Sequence, residues 1–574
     1  MASSTQPYTQ PPKHVNVLII GGGPAGTYAA SALAREGIEV AVFEASKFPR
    51  YHIGESLIPS VRHYLRFIGA EEKLANHGFC RKPGSAIKFN QNKQEGYTDF
   101  VALGHNNNAW NVVRSEFDQM LMNHARSSGA AVYERTKVNS IEFSKSNPGR
   151  PTSVSWTHTP PPVPLSPPTS PQTKFKKLES NGDASEETSQ VVEGVTTFDY
   201  MIDATGRAGI MSTKYLQNRR FNESLKNVAV WGYWENVGTY GVGTKREGAP
   251  WFEALTDETG WAWFIPLHNG TTSVGIVMNQ KSHTDRTKQQ VATGDGSSTM
   301  TSRYLENILL APGLVDLIGE GKMVDGTVKS ASDFSYSAPK YAGERYRIVG
   351  DAGAFIDPFF SSGIHLAMTS ALAASASICA SIRKDCTELE ATEWHTKRVA
   401  TSYTRFQVVV LSAYKQMRAQ NFDVLSEIDE DNYDRAFAYL RPVIQGASEM
   451  GARLSEDELQ RSLDFCLQLF NPTSPEQHER VFKQGGALAR QLMDLSQPVM
   501  DTSLLLQQIK PLCGRRESPD TSEDSDSDVE LVVKKINARR VVHPEYAINN
   551  LETEPLEGFA VRLERGNLGL IGKH

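Results

Sequence analysis

Residues 15–44 read VNVLIIGGGPAGTYAASALAREGIEVAVFE, and this stretch decides the fold. Residues 15–20 are a short apolar run, β-branched at several positions, that breaks into glycine, as a strand buried in a parallel sheet does. Gly21, Gly23 and Gly26 follow in G-x-G-x-x-G spacing, with Pro24 and Ala25 between the last two. The first glycine permits a tight turn and the second lets backbone approach a pyrophosphate. The third lets the next helix pack close to the strand. Residues 27–35 are alanine-rich and predict a helix ended by Gly37. Residues 38–43 predict a second strand. Glu44 stands at its end, where an acid takes a ribose hydroxyl. A lone glycine fingerprint is weak, but strand, helix, strand and terminal acid in this order predict a dinucleotide site.

Composition bounds the rest. The 574 residues are 39% hydrophobic and 22% charged, as in a globular protein of two to four domains. A net charge of −6 argues against general nucleic-acid binding. Cys80, Cys379, Cys386, Cys466 and Cys513 are scattered with no CxxC, which suits reduced thiols. The N-terminus has no apolar signal segment. The most apolar stretch, 364–382, is interrupted by serines and a threonine and runs into Arg383 and Lys384. It reads as a buried helix, so no transmembrane segment is predicted and the expected location is cytoplasmic.

Along the chain, residues 1–12 read as a loose tail. The loop 47–59, KFPRYHIGESLIP, is unusual in carrying Arg50, His52, Glu55 and Ser56 together. Residues 60–75 look helical, and 79–89 look like a strand running through Pro83 and Gly84. Residues 112–125 carry helical spacing after an arginine, and 131–134 and 138–143 read as strands. From 145 to about 190 the composition turns to Pro, Ser, Thr, Lys and Glu, predicting a disordered insertion. The core resumes at 197–206 as a strand and turn. Residues 228–277 suggest an antiparallel sheet, 280–300 a polar loop, and 345–366 a strand, a turn and a helix start. The region 386–510 reads as helical and 511–540 as an acidic disordered linker, whose serines could be phosphorylated although a plain solvated linker is the simpler reading. The tail 541–574 has no predicted place.

Four separate stretches then agree. GGGPAG (21–26), Arg114 in VVRSEFD, ATG (Ala204 to Gly206) and GDAGAFIDP (350–358) resemble the FAD pattern of p-hydroxybenzoate hydroxylase-like flavoproteins. The resemblance implies that Asp351 contacts the ribityl chain and that Arg50 and Arg114 serve the cofactor. It also implies an α/β fold: a discontinuous Rossmann-type FAD domain over 13–385, interleaved with a mostly antiparallel substrate sheet at 79–110 and 220–335. Two further matches, W-x-W-x-I-P (Trp261 to Pro266) and F-x-x-P-x-x-S-x-G (Phe355 to Gly363), resemble the flavin-dependent halogenases, and the C-terminal part looks like that of fungal phenol halogenases. An aromatic hydroxylase is the alternative, and a flavin-binding scaffold a second.

The halogenase resemblance implies reduced FAD, dioxygen and a chloride or bromide ion that becomes hypohalous acid, with a separate NAD(P)H flavin reductase as partner. Lys82, in GFCRKPG, lies where the family keeps its essential lysine, with Lys88 as the competing position. Partial burial suits a lysine to this task by exposing a nucleophilic amine. Backbone donors at Ser361, Ser362, Gly363 and Ile364 suit a halide. Trp261, Trp263, Pro358, Phe359 and Phe360 are expected in the substrate pocket, unless the tryptophans merely face a core. Tryptophan-type halogenases carry a glutamate where this chain has Phe360. A phenol donates its own oxygen electrons into the ring and has less need of that carboxylate, so the departure points to a phenolic substrate, and the resemblance to fungal phenol halogenases implies a polyketide-derived one. His52 and His365 are candidate bases only because they lie near motifs, and a structural role is the simpler reading for each.

Overall fold

In a computed structural model of the chain, the described residues are 10–160, 191–293 and 299–418 (without 90, 92–94 and 102–104). Further on they are 473, 475–484, 486–494, 497, 498, 500, 502–511, 528–537, 540 and 555–573. The predictions for 1–9, the proline-rich 161–190 and the acidic run up to 527 lie outside them.

The opening unit is β1 (His14–Ile20), α1 (Pro24–Ala34) and β2 (Val40–Phe43). The helix starts before the alanine run because proline suits a first turn, where an N–H has no helical partner. The predicted helix at 60–75 is two, α2 (Val61–Ile68) and α3 (Glu71–Ala75), parted at Gly69 with φ +80°. The strand predicted over 79–89 is also two. β3 (Cys80–Lys82) and β4 (Gly84–Lys88) join different sheets, because Pro83 has no N–H to continue a ladder.

There follow β5 (Gly96–Asp99), β6 (Ala109–Asn111), α4 (Arg114–Ser127), β7 (Ala131–Tyr133), β8 (Thr136–Phe143), β9 (Pro151–His158) and β10 (Val192–Asp203). Next are β11 (Arg220–Glu235), β12 (Trp251–Ala254), β13 (Gly260–Pro266) and β14 (Thr272–Asn279). After α5 (Gln280–Thr293), α6 (Met300–Ile308) and α7 (Pro312–Ile318) come β15 (Lys322–Met323), β16 (Lys329–Ser337), β17 (Ala342–Gly343) and β18 (Tyr346–Ile348). The long helices α8 (Gly363–Arg383) and α9 (Glu388–Met417) complete this part.

The first sheet runs β17-β18-β10-β1-β2-β7, parallel from β18 to β7, with β9 and β8 continuing antiparallel from β10. The second runs β15-β11-β14-β13-β12-β4-β5 with β16 on β11, antiparallel except where β4 meets β12. This is the interleaved α/β architecture expected.

Three expectations are corrected. The disordered insertion does not begin at 145, since β9 occupies 151–158. It alternates, and Val154, Trp156 and His158 turn inward. The polar stretch at 280 is the helix α5, whose surface position lets it be polar. Part of the acidic linker, 528–537, is helical, because Val529, Val532, Val533 and Ile536 repeat at helical spacing. They pack on Val481, Leu492, Leu505 and Ile509.

The apolar helix α8 is long and apolar enough to cross a membrane, yet lies inside the fold, with Ala371, Leu372, Ala373 and Ala374 at 0% exposure. The tail docks beside it. Val561, Leu568 and Leu570 enter the same core as α1 and α8, and Glu36 accepts from the backbone N–H of Gly566 and Leu568.

Candidate active site

A cavity of about 780 Å³ opens between the carboxyl edge of the first sheet and the face of the second. Its floor is the glycine turn. Gly21 has φ +108°, and a Cβ there would lie 2.2 Å from the Ala204 carbonyl oxygen. A Cβ on Gly26 would lie 2.0 Å from the Gly21 carbonyl oxygen, so Gly26 supports the turn from behind and does not line the cavity. Gly23 does line it, and a Cβ there would meet only the Arg50 guanidinium at 3.4 Å. That leaves the backbone open to an anion at the start of α1. Glu44 holds the turn through Oε2, which accepts from the Gly22 N–H at 2.6 Å, and Oε1, which accepts from Ser46 N–H at 2.8 Å.

Pro24, Ala25, Glu44, Arg50, Arg114, Ala204, Gly206 and Asp351, singled out in the sequence for a cofactor, line that end of the cavity. Arg114 fixes the 47–59 loop: its Nη1 donates to the Ile53 carbonyl at 2.7 Å. Its Nε and Nη2 pair with Asp118, which also takes Arg50. Asp351 is half-buried, and desolvation pushes its carboxyl up to about 6 against the pull of Arg207, Arg114 and Arg219. Such an acid in a cavity wall is best satisfied by a hydroxyl donor. Glycine cradle, arginines and acid together fit FAD.

The other end is aromatic. Trp261 and Trp263, on one face of β13, line the cavity with Phe252 and Ile265. Trp261 Nε1 donates to the Tyr414 hydroxyl on α9 at 2.8 Å, and Trp263 Nε1 to Ser273 Oγ at 3.1 Å. Tyr414 in turn donates to Asp357 Oδ2 at 2.7 Å. The helical region therefore backs the tryptophan wall, a role that the sequence did not reveal.

The F-x-x-P-x-x-S-x-G segment divides. Pro358, Ser361, Gly363 and Ile364 line the cavity. Ser361 has φ +55°, turning the chain into α8, and nothing lies within 4 Å of a Cβ on Gly363. Ser362, expected beside a halide, is buried and does not line the cavity. Phe359 and Phe360, expected in the pocket, do not line it either. Phe359 packs behind Trp261 with ring centroids 5.1 Å apart, and Phe360 packs on Phe359.

Lys82 ends β3 at 1% exposure. Its Nζ donates to Ser56 Oγ at 2.7 Å and to the Leu57 carbonyl at 2.9 Å, and sits 5.2 Å from the Phe100 ring centroid. Burial lowers its ammonium to about 7. Lys82 does not itself line the large cavity, but Ser56 does. Lys88 is half-buried on β4, opposite Glu253. Glu55 also lines the cavity. Its Oε1 accepts from the Tyr233 hydroxyl at 2.6 Å, and Tyr233 meets the half-exposed Tyr51 at 3.1 Å. Burial raises the Glu55 carboxyl despite the hydroxyls of Tyr233 and Ser273. Glu55 and Ser56 were not singled out as site residues, although the density of polar groups in 47–59 was the available signal.

Neither histidine suits a base. His52 lines the cavity, but burial and then Arg114 lower it to about 4. His365 is buried against Ser60 and does not line the cavity.

A family model described as tryptophan halogenase matches residues 16–158 and 176–423. The flavin-dependent halogenase armH1 of Armillaria mellea is 48% identical over 98% of this chain and 99% of its own. Among solved structures, the flavin-dependent halogenase CmlS aligns over 97% of this chain and 84% of its own, with a TM-score of 0.62 at 23% identity. The myxobacterial chondrochloren halogenase CndH, an FAD-dependent halogenase, aligns over 80% and 98%, with a TM-score of 0.59 at 25% identity. With a family model across both sheets and near half identity from end to end, the chain belongs to the flavin-dependent halogenases, enzymes that use FAD, a halide and dioxygen.

Proposed function

We propose that this halogenase acts on a phenolic, polyketide-derived aromatic by electrophilic substitution, with Lys82 delivering the halogen. Family membership sets aside the aromatic hydroxylase alternative. The observation that carries the reading is the buried Lys82 amine, held by Ser56 at the cavity wall and lowered to about 7. FAD held in the cavity, reduced by a separate NAD(P)H flavin reductase, would supply the oxidation of chloride or bromide by dioxygen to hypohalous acid.

The chain's own residues do the rest. The glycine turn, Arg50, Arg114 and Asp351 hold the cofactor. Backbone N–H groups at Gly363 and Ile364 offer donors to a halide at the start of α8, whereas the Ser361 N–H is given to the Pro358 carbonyl at 2.8 Å. Trp261, Trp263 and Phe252 exclude water between the cofactor end and the aromatic end. A neutral Lys82 amine can hold the hypohalous acid by hydrogen bonding or take the halogen on nitrogen, and releases it to the ring. Glu55 stands where it can accept the proton that the ring or the phenol loses, and Tyr233 and Tyr51 lead from it toward solvent. With Phe360 in place of a glutamate before Ser361, the ring relies on its own hydroxyl for activation.

The test is mass spectrometry of a reaction with a phenol panel, FAD, a flavin reductase with NADH, and chloride or bromide. The expected result is a product with the halogen isotope pattern, absent with Lys82→Ala. Retained halogenation by that variant would remove Lys82 from the mechanism.

A further inference from the structure

On the surface away from the cavity, His77, Glu116 and His268 converge from three separate segments. His77 lies in the turn after α3, Glu116 in the first turn of α4, and His268 in the turn between β13 and β14. One carboxylate oxygen, Glu116 Oε2, meets both imidazoles, His77 Nε2 at 2.9 Å and His268 Nε2 at 3.2 Å. All three atoms lie within 4.8 Å of one another. Bonds of about 2.1 Å in a tetrahedral ion set ligand atoms about 3.4 Å apart, so both glutamate–histidine spans need little change.

The rings are also held. The side chain of Phe79 is buried between them, stacked on His77 at 4.0 Å and 16°, and edge-on to His268 at 5.2 Å and 89°. Both Nε2 atoms therefore meet one carboxylate oxygen with their rings buttressed by the same phenyl ring.

We propose that His77, Glu116 and His268 form a divalent transition-metal site. Two imidazoles and one carboxylate select zinc, nickel, cobalt or copper over magnesium or calcium, and leave a fourth position for water. No redox step is involved. Its position gives it a mechanical effect. Glu116 is two residues past Arg114, which fixes the cavity loop, and His268 is two residues past the end of the tryptophan strand β13. A bound ion braces these two walls to each other.

The experiment titrates zinc, by calorimetry, into tag-free FAD-loaded protein in chelator-free buffer, and repeats it with His77→Gln, His268→Gln, Glu116→Gln and Cys80→Ser. The expected result is one ion per chain, at least tenfold weaker in each of the first three variants and unchanged in Cys80→Ser. Zinc should also raise the melting temperature of the parent protein and not of His268→Gln. Absence of stoichiometric binding at 100-fold excess zinc overturns the proposal. So does binding unaltered by His77→Gln and His268→Gln, or binding lost only with Cys80→Ser. All four positions are half-buried or exposed, and retained FAD absorbance shows that a variant is folded.

Discussion

The two sheets meet one cavity with different chemistry. The first presents backbone at a glycine turn, the end of β10 and the start of α8, with charged side chains, Glu44, Arg50, Arg114 and Asp351, around it. The second presents side chains: Trp261, Trp263, Phe252 and Ile265, backed by Tyr414 from a helix 150 residues away. A cofactor with fixed phosphates and sugars is held by geometry that one short stretch of chain can encode. An aromatic site beside it is made from residues far apart in sequence, and its chemistry depends on which of them are buried together.

The sharpest break of that contrast is at the glycine turn. Gly26→Val would force a Cβ against the Gly21 carbonyl oxygen, 2.0 Å away, and no flexible side chain can yield there. The expected cost is about 3 kcal/mol or more, with FAD lost and the melting temperature strongly lowered. Gly23→Val separates fold from ligand, since its Cβ meets only Arg50. The protein should stay folded by circular dichroism and lose FAD absorbance.

At the side-chain end the effect should fall on chemistry alone. Lys82→Ala is expected to lower halogenation by on the order of 10²–10⁴-fold while FAD binding, read by fluorescence quenching, stays within twofold. If FAD binding fell with it, the two ends of the cavity would not be separable. The pH dependence sharpens this. A neutral amine is the working form, so halogenation should rise through a midpoint near pH 7.

Stability should show the same group. Native Lys82 releases its proton near 7, whereas an unfolded lysine keeps its proton to about 10.4. Between those values the unfolded chain binds the extra proton, so this contribution to stability rises with pH. Asp351 has the opposite sign. Its native carboxyl keeps a proton to about 6, so its contribution falls as pH rises from about 4 to 6. Denaturation curves of Lys82→Met against the parent at pH 6.5 and 9 should converge at the higher pH.

A smaller effect tests the link between the tryptophan wall and the helical region. Tyr414→Phe removes the hydroxyl that joins Trp261, Asn227 and Asp357, all buried. The expected loss is about 1–3 kcal/mol in urea denaturation, because three partners lose a bond and none gains water. An unchanged midpoint would mean that α9 packs there without bracing the wall.

What could be read in the sequence follows the same division. The glycine turn and Glu44 could be read directly, because each needs a particular residue at a particular step of a strand–turn–helix unit. Arg114, the end of β10, Asp351, Lys82 and the tryptophans were singled out only through resemblance. Spacing could not say that Ser56 holds Lys82 or that Phe359 stands behind Trp261, since both depend on contacts across 26 and 98 residues. Composition misled where local bias overruled pattern. Serine, threonine and proline hid the inward alternation of Val154, Trp156 and His158, and acidic neighbours hid the apolar repeat Val529, Val532, Val533 and Ile536.

The correction at β9 fixes the smallest expected effect. A deletion taken from 148 to 188 would remove β9, which pairs with both β8 and β10, and should cost solubility by exposing Trp156 and the β10 edge. A deletion limited to 162–188 spares every residue of the first sheet. The stretch it shortens joins an antiparallel pair whose register, His158 against Val192, is set by the strands themselves. Shortening a loop changes closure entropy only logarithmically, by under about 1 kcal/mol. Halogenation by this shortened protein should therefore stay within twofold of the parent, with the same melting temperature to within a few degrees. Activity lost while the melting temperature holds would assign the proline-rich stretch a part in the reaction that its composition does not suggest.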